Sequence, residues 1–190
     1  MRQLNIRFGL GNIADVAAIL VTIATVFASL SWISSGKAGG QAGDLKTAAL
    51  GFMMLRLEAA TQASNALVQA QSYLTQAGMY YAEADTTNNE ELKTYLNGLG
   101  DQSMELSNFQ TSVTKEAEQK SQGYFDKYTE VLETSAQFGR IADYRSTAAL
   151  ILNVSAAAAS GVVLFKKRFL LYVFAPVFLL GISYLVASFL

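Results

Sequence analysis

Three continuous apolar runs stand out, and between the first two lies a long stretch where apolar residues recur every three or four positions. The runs cover 13–33, 147–165 and 169–190, each near the roughly 20 residues that a helix needs to cross a bilayer core. The second is Ala-rich and holds Asn153, but it directly precedes Lys166, Lys167 and Arg168, which marks it as half of a helical hairpin with the third. Arg2, Arg7 and the first run loosely match a secretory signal; the run is too long for that role and reads as an uncleaved anchor. Asn12 and Asp15 open it in the pattern of a helix cap followed by a first-turn carboxylate facing the positive dipole end.

The middle stretch predicts a hairpin of two long helices. Residues 34–43 (SSGKAGGQAG) read as a Gly/Ser-rich linker that interrupts any helix leaving the first run. Beyond it, Ala49, Phe52, Arg56, Ala59, Ala63, Ala66, Ala70, Tyr73, Ala77 and Tyr80 alternate steps of three and four, the heptad seam of a coiled coil. A turn cluster at 85–89 and the pair Thr87 and Glu90, a capping box, predict a short tip helix near 88–98, ended by Gly98 and Gly100. A last helix, 102–165, carries a second seam of Leu106, Phe109, Val113, Ala117, Ser121, Tyr124, Tyr128, Val131, Ser135, Phe138 and Ala142.

Folding the seams so that facing residue numbers sum to about 190 sets large residues against small ones. Ala66 then meets Tyr124, Ala63 meets Tyr128, Tyr73 meets Ala117, Ala59 meets Val131, and Arg56 falls opposite Glu133. Leu55, Leu67, Leu74, Phe125 and Leu132 lie off the seam and widen the apolar surface, which points to another copy or another subunit.

The expectation is therefore an all-α integral membrane protein with three transmembrane helices and a long projecting antiparallel coiled-coil hairpin. Its parts are an N-terminal segment and first span at 1–33, a linker at 34–43, the hairpin at 44–146 and a transmembrane hairpin at 147–190. Composition agrees: 52% of the 190 residues are hydrophobic and 15% charged, against about 25% charged in soluble domains. Arg2, Arg7 and the Lys166–Arg168 turn share one side, which the positive-inside rule places in the cytoplasm of a multi-pass protein of the cell membrane. Residues 34–146, with 14 acids and 9 bases, then lie outside the cytoplasm.

Within the second run, Ser155, Ala156, Ala157, Ala159, Ser160 and Gly161 form small-residue pairs four apart. Such pairs let helices approach closely in lipid, and Asn153 adds an interhelical hydrogen-bonding group. Trp32 and Tyr172 are candidate interface anchors. The chain has no Cys and no His, so thiol chemistry, disulfides and the commonest general base are excluded. A net charge of -1 argues against a nucleic-acid footprint. No phosphate loop, dinucleotide fingerprint or metal-spaced acid motif occurs, so no enzymatic activity, catalytic residue, metal or cofactor is expected. The spans leave room for a bound lipid, quinone or pigment, which need no signature ligands.

Residues 62–81 (QASNALVQAQSYLTQAGMYY) and 147–172, which include LFKKRFLLYV, resemble an uncharacterised prokaryotic three-span membrane-protein family of unknown function. That family has one N-terminal span, a Gln/Ala/Tyr-rich helical middle and a C-terminal two-span hairpin with a basic turn. The resemblance covers about a quarter of the chain and implies no activity; the middle-helix Trp common in that family is missing here. The functional expectation is a structural or accessory subunit that mediates assembly, with lipid and other membrane subunits or further copies of itself as partners. The alternatives are an extracytoplasmic helical-bundle sensor that signals through a partner protein and an oligomeric small transporter or channel.

Overall fold

A computed structural model describes residues 10–165 and 169–190, with side chains from residue 15 onward except Val163. Arg2, Arg7, the Asn12 side chain and the basic turn of Lys166, Lys167 and Arg168 lie outside the described residues. The described chain is all-α: α1 spans Leu10–Thr86, α2 spans Glu90–Phe165 and α3 spans Phe169–Ala187.

α1 is one helix of 77 residues, which corrects the linker expected at 34–43. Glycine inside a helix costs about 1 kcal/mol relative to alanine, and local propensity alone would end the helix there. Tertiary packing outweighs that cost because the inward row continues through the glycines. Ala38 and Ala42 are buried, and the Ser35 hydroxyl donates to the Ala142 carbonyl at 2.8 Å. Inward positions of α1 alternate steps of four and three from Ala17 to Ala84. α1 also starts before Asn12, so Asn12 is not its N-cap and Asp15 lies beyond its first turn.

The separate tip helix is absent as well, because α2 begins at Glu90 and runs unbroken through Gly98 and Gly100. Only 87–89 interrupt the two long helices, a connection of the length that antiparallel helix pairs use. The cap is Asn89, not Thr87: its Oδ1 accepts from the backbone N–H of Glu91 at 3.0 Å and of Leu92 at 3.2 Å. Glu90 and Glu91 complement the positive end of the helix dipole. Gly100 serves a close approach instead of a break, since a Cβ there would lie 2.5 Å from Tyr81 Cε1.

Moving the turn moves the register. The hydroxyls of Ser107, Ser135 and Ser35 donate to the carbonyls of Ala70, Ala42 and Ala142. Each pair of residue numbers sums to 177 (107 and 70, 135 and 42, 35 and 142) instead of the expected 190 or so. The shift is close to two heptads, so the seam residues stay on the seam and change partners. Near the turn the α2 seam also differs from expectation. Ser103, Ser107 and Thr114 are buried, while Leu106 and Phe109 are exposed.

Two compact units form along the chain: Met1–Lys46 with Glu133–Leu190, and Thr47–Leu132. In the first, parts of α1 and α2 pack with α3. In the second, the remaining parts of α1 and α2 form the antiparallel pair that ends at the 87–89 turn.

Candidate functional site

The first unit is built with small residues inside and large apolar residues outside. Ala24, Ala156, Ala159 and Phe174 form a cluster that draws one or more residues from each helix, with Leu20, Val21, Ala158 and Phe178 packed around it. Ala17, Ala24, Ala148, Ala149 and Ser155 have no exposed surface, and among the described residues Leu152 is the only large apolar side chain that is equally enclosed. Gly181 of α3 sits over Leu152, where a Cβ would approach its Cγ to 2.8 Å. At Gly161 a Cβ would lie 2.9 Å from Leu170 Cδ1. Small residues therefore set the spacing of α2 and α3.

These contacts place the small residues expected to mediate assembly. Ser155, Ala156 and Ala159 are buried inside the chain's own three-helix unit, and Ser160 and Gly161 are half-buried. Asn153 and Ala157 point outward instead. The spacing was legible in the sequence; that α1 and α3 of the same chain take up most of it was not. Among the described residues, the buried hydroxyls Ser31 Oγ and Ser155 Oγ of this unit meet no hydrogen-bond partner.

On the outside, Val16, Ile19, Ile23, Val26, Phe27, Leu30 and Ile33 are all exposed along α1. Leu150, Val154, Leu164 and Phe165 are exposed on α2, as are Val173, Leu179, Leu180 and Val186 on α3. Trp32 and Tyr172 are 62% and 82% exposed. A soluble domain rarely exposes so continuous an apolar surface. Near the end of α3, Arg145 Nε donates to Ser188 Oγ at 3.2 Å, and its guanidinium lies 4.9 Å from the Phe189 ring centroid.

In the second unit the seam residues Ala59, Ala63, Ala66 and Ala117 are buried, and Tyr73, Tyr124, Tyr128 and Val131 are half-buried. Their expected pairings fall with the register. The Arg56–Glu133 pair is replaced by another partner: the Arg56 guanidinium stands 4.3 Å from the Phe125 ring centroid, more than two turns before Glu133 on α2. Lys127 lies similarly over Phe52. The Glu116–Lys120 ion pair, 2.7 Å, sits on the exposed face of α2. Its mutual hydrogen bond lowers the carboxyl pKa and raises that of the amine. At the turn, Tyr81 donates to Asp101 at 2.7 Å. That hydrogen bond to the carboxylate, with smaller help from desolvation and charge, raises the phenol pKa.

A groove missed by the sequence reading runs along one flank of this pair. One part, about 600 Å³, is lined by Leu50, Met53, Met54, Arg56, Leu57, Ala60 and Ser121. A second part, about 320 Å³, continues past Ala60, Ala63, Ser64 and Leu67 against Thr114, Glu118 and Ser121. Among the described residues, no three His, Cys, Asp or Glu side chains gather where a metal ion would bind.

The chain matches no protein-family model, no curated protein and no solved structure. Among the described residues, two helices contain stretches long and apolar enough to cross a membrane: α1 near the N-terminus, and α3.

Proposed function

We propose that this protein is a non-enzymatic structural subunit of the cell membrane, with spans at 13–33, 147–165 and 169–190 and a helical hairpin that binds protein. The observation that carries this reading is the inverted packing of the first unit. Alanine, serine and glycine make up most of the interior, with Leu152, Val162 and Phe174 the large exceptions among the described residues, while Ile, Leu, Val and Phe residues face out along the three helices. In water that arrangement would forgo most of the hydrophobic stabilisation a fold depends on. In lipid the outer residues are solvated, and close van der Waals approach of small residues is what holds helices together. Trp32 and Tyr172, both exposed, are placed as interface anchors. The basic residues at 2, 7 and 166–168 orient the N-terminus and the α2–α3 turn toward the cytoplasm, which leaves the hairpin outside it.

The hairpin supports a binding role because its apolar surface exceeds what two helices cover. Leu50, Met54, Leu57, Val68 and Met79 are all more than 60% exposed. Native mass measurement of the full chain extracted in a gentle detergent tests the reading. The expected result is a defined assembly, either of several copies or with co-purifying subunits. A clean monomer, or a chain recovered in the soluble fraction without detergent, would overturn it.

A further inference from the structure

We infer that the groove between α1 and α2 of the second unit receives α1 of a second copy, giving a parallel dimer whose two-fold axis runs along the hairpin. The inference rests on the membrane reading above, because anchoring in one bilayer with one orientation is what makes the two hairpins parallel.

Position is the first argument. Leu50, Met53, Leu57, Ala60, Ser64, Leu67, Gln71, Leu74 and Gly78 alternate steps of three and four, and every one of them is exposed. They form a second heptad row beside the buried seam, with the groove along its first half. From 58 to 76 the opposite flank of α1 carries Glu58, Gln62, Asn65, Gln69, Ser72 and Gln76, with the exposed apolar Leu55 and Met79 only at its two ends. One flank is thus built for water and the other for a helix, as in helix-in-groove recognition.

Charge is the second argument. Residues 59–82 of α1 contain no Asp, Glu, Lys or Arg, whereas the facing part of α2, 95–118, carries Asp101, Glu105, Lys115, Glu116 and Glu118. A surface that meets its own copy places like against like across the axis, so any charged row would repel itself. This row is neutral, and the groove rim carries one cation and one anion, Arg56 and Glu118. A foreign partner would face no such restriction on the row's charge.

Size is the third. The row covers 29 residues from Leu50 to Gly78, about 42 Å of helix. With a contact strip about 10 Å wide on each copy, the buried area is about 840 Å² in total, just under the roughly 1,000 Å² at which specific interfaces begin, and anchoring of both copies in one bilayer supplements it.

The chain has no cysteine, so single cysteines placed in the full chain report on the dimer directly. Leu57→Cys, Leu67→Cys and Leu74→Cys lie on the row, and Gln62→Cys, Gln69→Cys and Gln76→Cys lie on the opposite flank. Each variant is oxidised in native membranes with copper phenanthroline and run on a non-reducing gel. Dimers twice the chain mass are expected at the three Leu positions and not at the three Gln positions. Equal crosslinking on both flanks, no crosslinking at any position, or adducts of another mass would overturn the dimer. An alkaline carbonate wash of the same membranes separates the two ways of failing. Protein retained in the pellet without row-specific dimers defeats this inference alone, while protein released by the wash defeats the membrane reading beneath it.

Discussion

Replacing Gly181 with alanine should destabilise the chain, although alanine is the better helix former. The added Cβ would lie 2.8 Å from Leu152 Cγ, 3.0 Å from its Cδ2 and 3.3 Å from Ile151 Cγ2. Leu152 has no exposed surface, and its Cγ is a branch point that cannot swing aside as a side-chain tip does. Overpacking of this kind costs about 1–3 kcal/mol, against a gain of about 1 kcal/mol from helix propensity. A net loss of about 1 kcal/mol is expected. Gly139→Ala supplies the contrast, because nothing lies within 4 Å of its added Cβ, and it should gain about 1 kcal/mol. Unfolding of the full chain in mild detergent, followed by far-UV circular dichroism, should place the two midpoints on opposite sides of the parent. In a Leu152→Ala background the added methyl enters vacated space, so Gly181→Ala should there become neutral or stabilising. Equal effects at Gly181 and Gly139, or an undiminished loss in that background, would refute the close α2–α3 approach.

Three further outcomes follow from the hairpin. The double variant Ala70→Cys with Ser107→Cys should form an internal disulfide readily and Ala66→Cys with Tyr124→Cys should not; the reverse would restore the register centred nearer residue 95. Asn89→Ala removes the acceptor for two N–H groups at the start of α2. It should cost about 1 kcal/mol, seen as faster amide exchange at Glu91 and Leu92, and unchanged exchange would contradict the cap. Because its hydrogen bond to Asp101 raises the Tyr81 pKa, the folded state favours the neutral phenol. That contribution is present below the ordinary tyrosine pKa of about 10 and fades as pH rises through the higher folded value. Ultraviolet titration should show one phenol titrating late, and Tyr81→Phe or Asp101→Asn should remove it.

How much of this was legible in the sequence depends on what each signal measures. Heptad spacing reports which face is inward, and the α1 seam from Ala49 to Tyr80 reads correctly because steps of three and four alternate there without exception. The same regularity hides the register, since away from the turn a two-heptad slide leaves the seam residues inward and only the location of the turn decides. Gly98 and Gly100 looked like that turn. Gly100 instead makes room for the Tyr81 ring, a contact between residues distant in sequence. In 34–43 glycine propensity pointed to a linker, and packing against α2 through Ser35, Ala38 and Ala42 prevailed. The α2 seam near the turn went astray for another reason. Leu106 and Phe109 look inward by hydrophobicity, yet Ser107 holds the inward position through its bond to the Ala70 carbonyl. The outer row from Leu50 to Gly78 is visible in the sequence only once the inner seam is known.

The central claim is that lipid solvates the outside of the first unit. Nitroxide scanning of residues 16–33 in reconstituted vesicles tests it most directly, by comparing collision with oxygen, which concentrates in the bilayer, and with a water-soluble nickel chelate. Labels at the exposed positions Ile19, Ile23, Val26, Leu30 and Ile33 should collide strongly with oxygen and weakly with nickel. Labels at the buried positions Ala17, Ala24, Ala28 and Ser31 should meet neither. Strong nickel collisions along the Ile19 to Ile33 face would mean that water covers it, and would contradict the account.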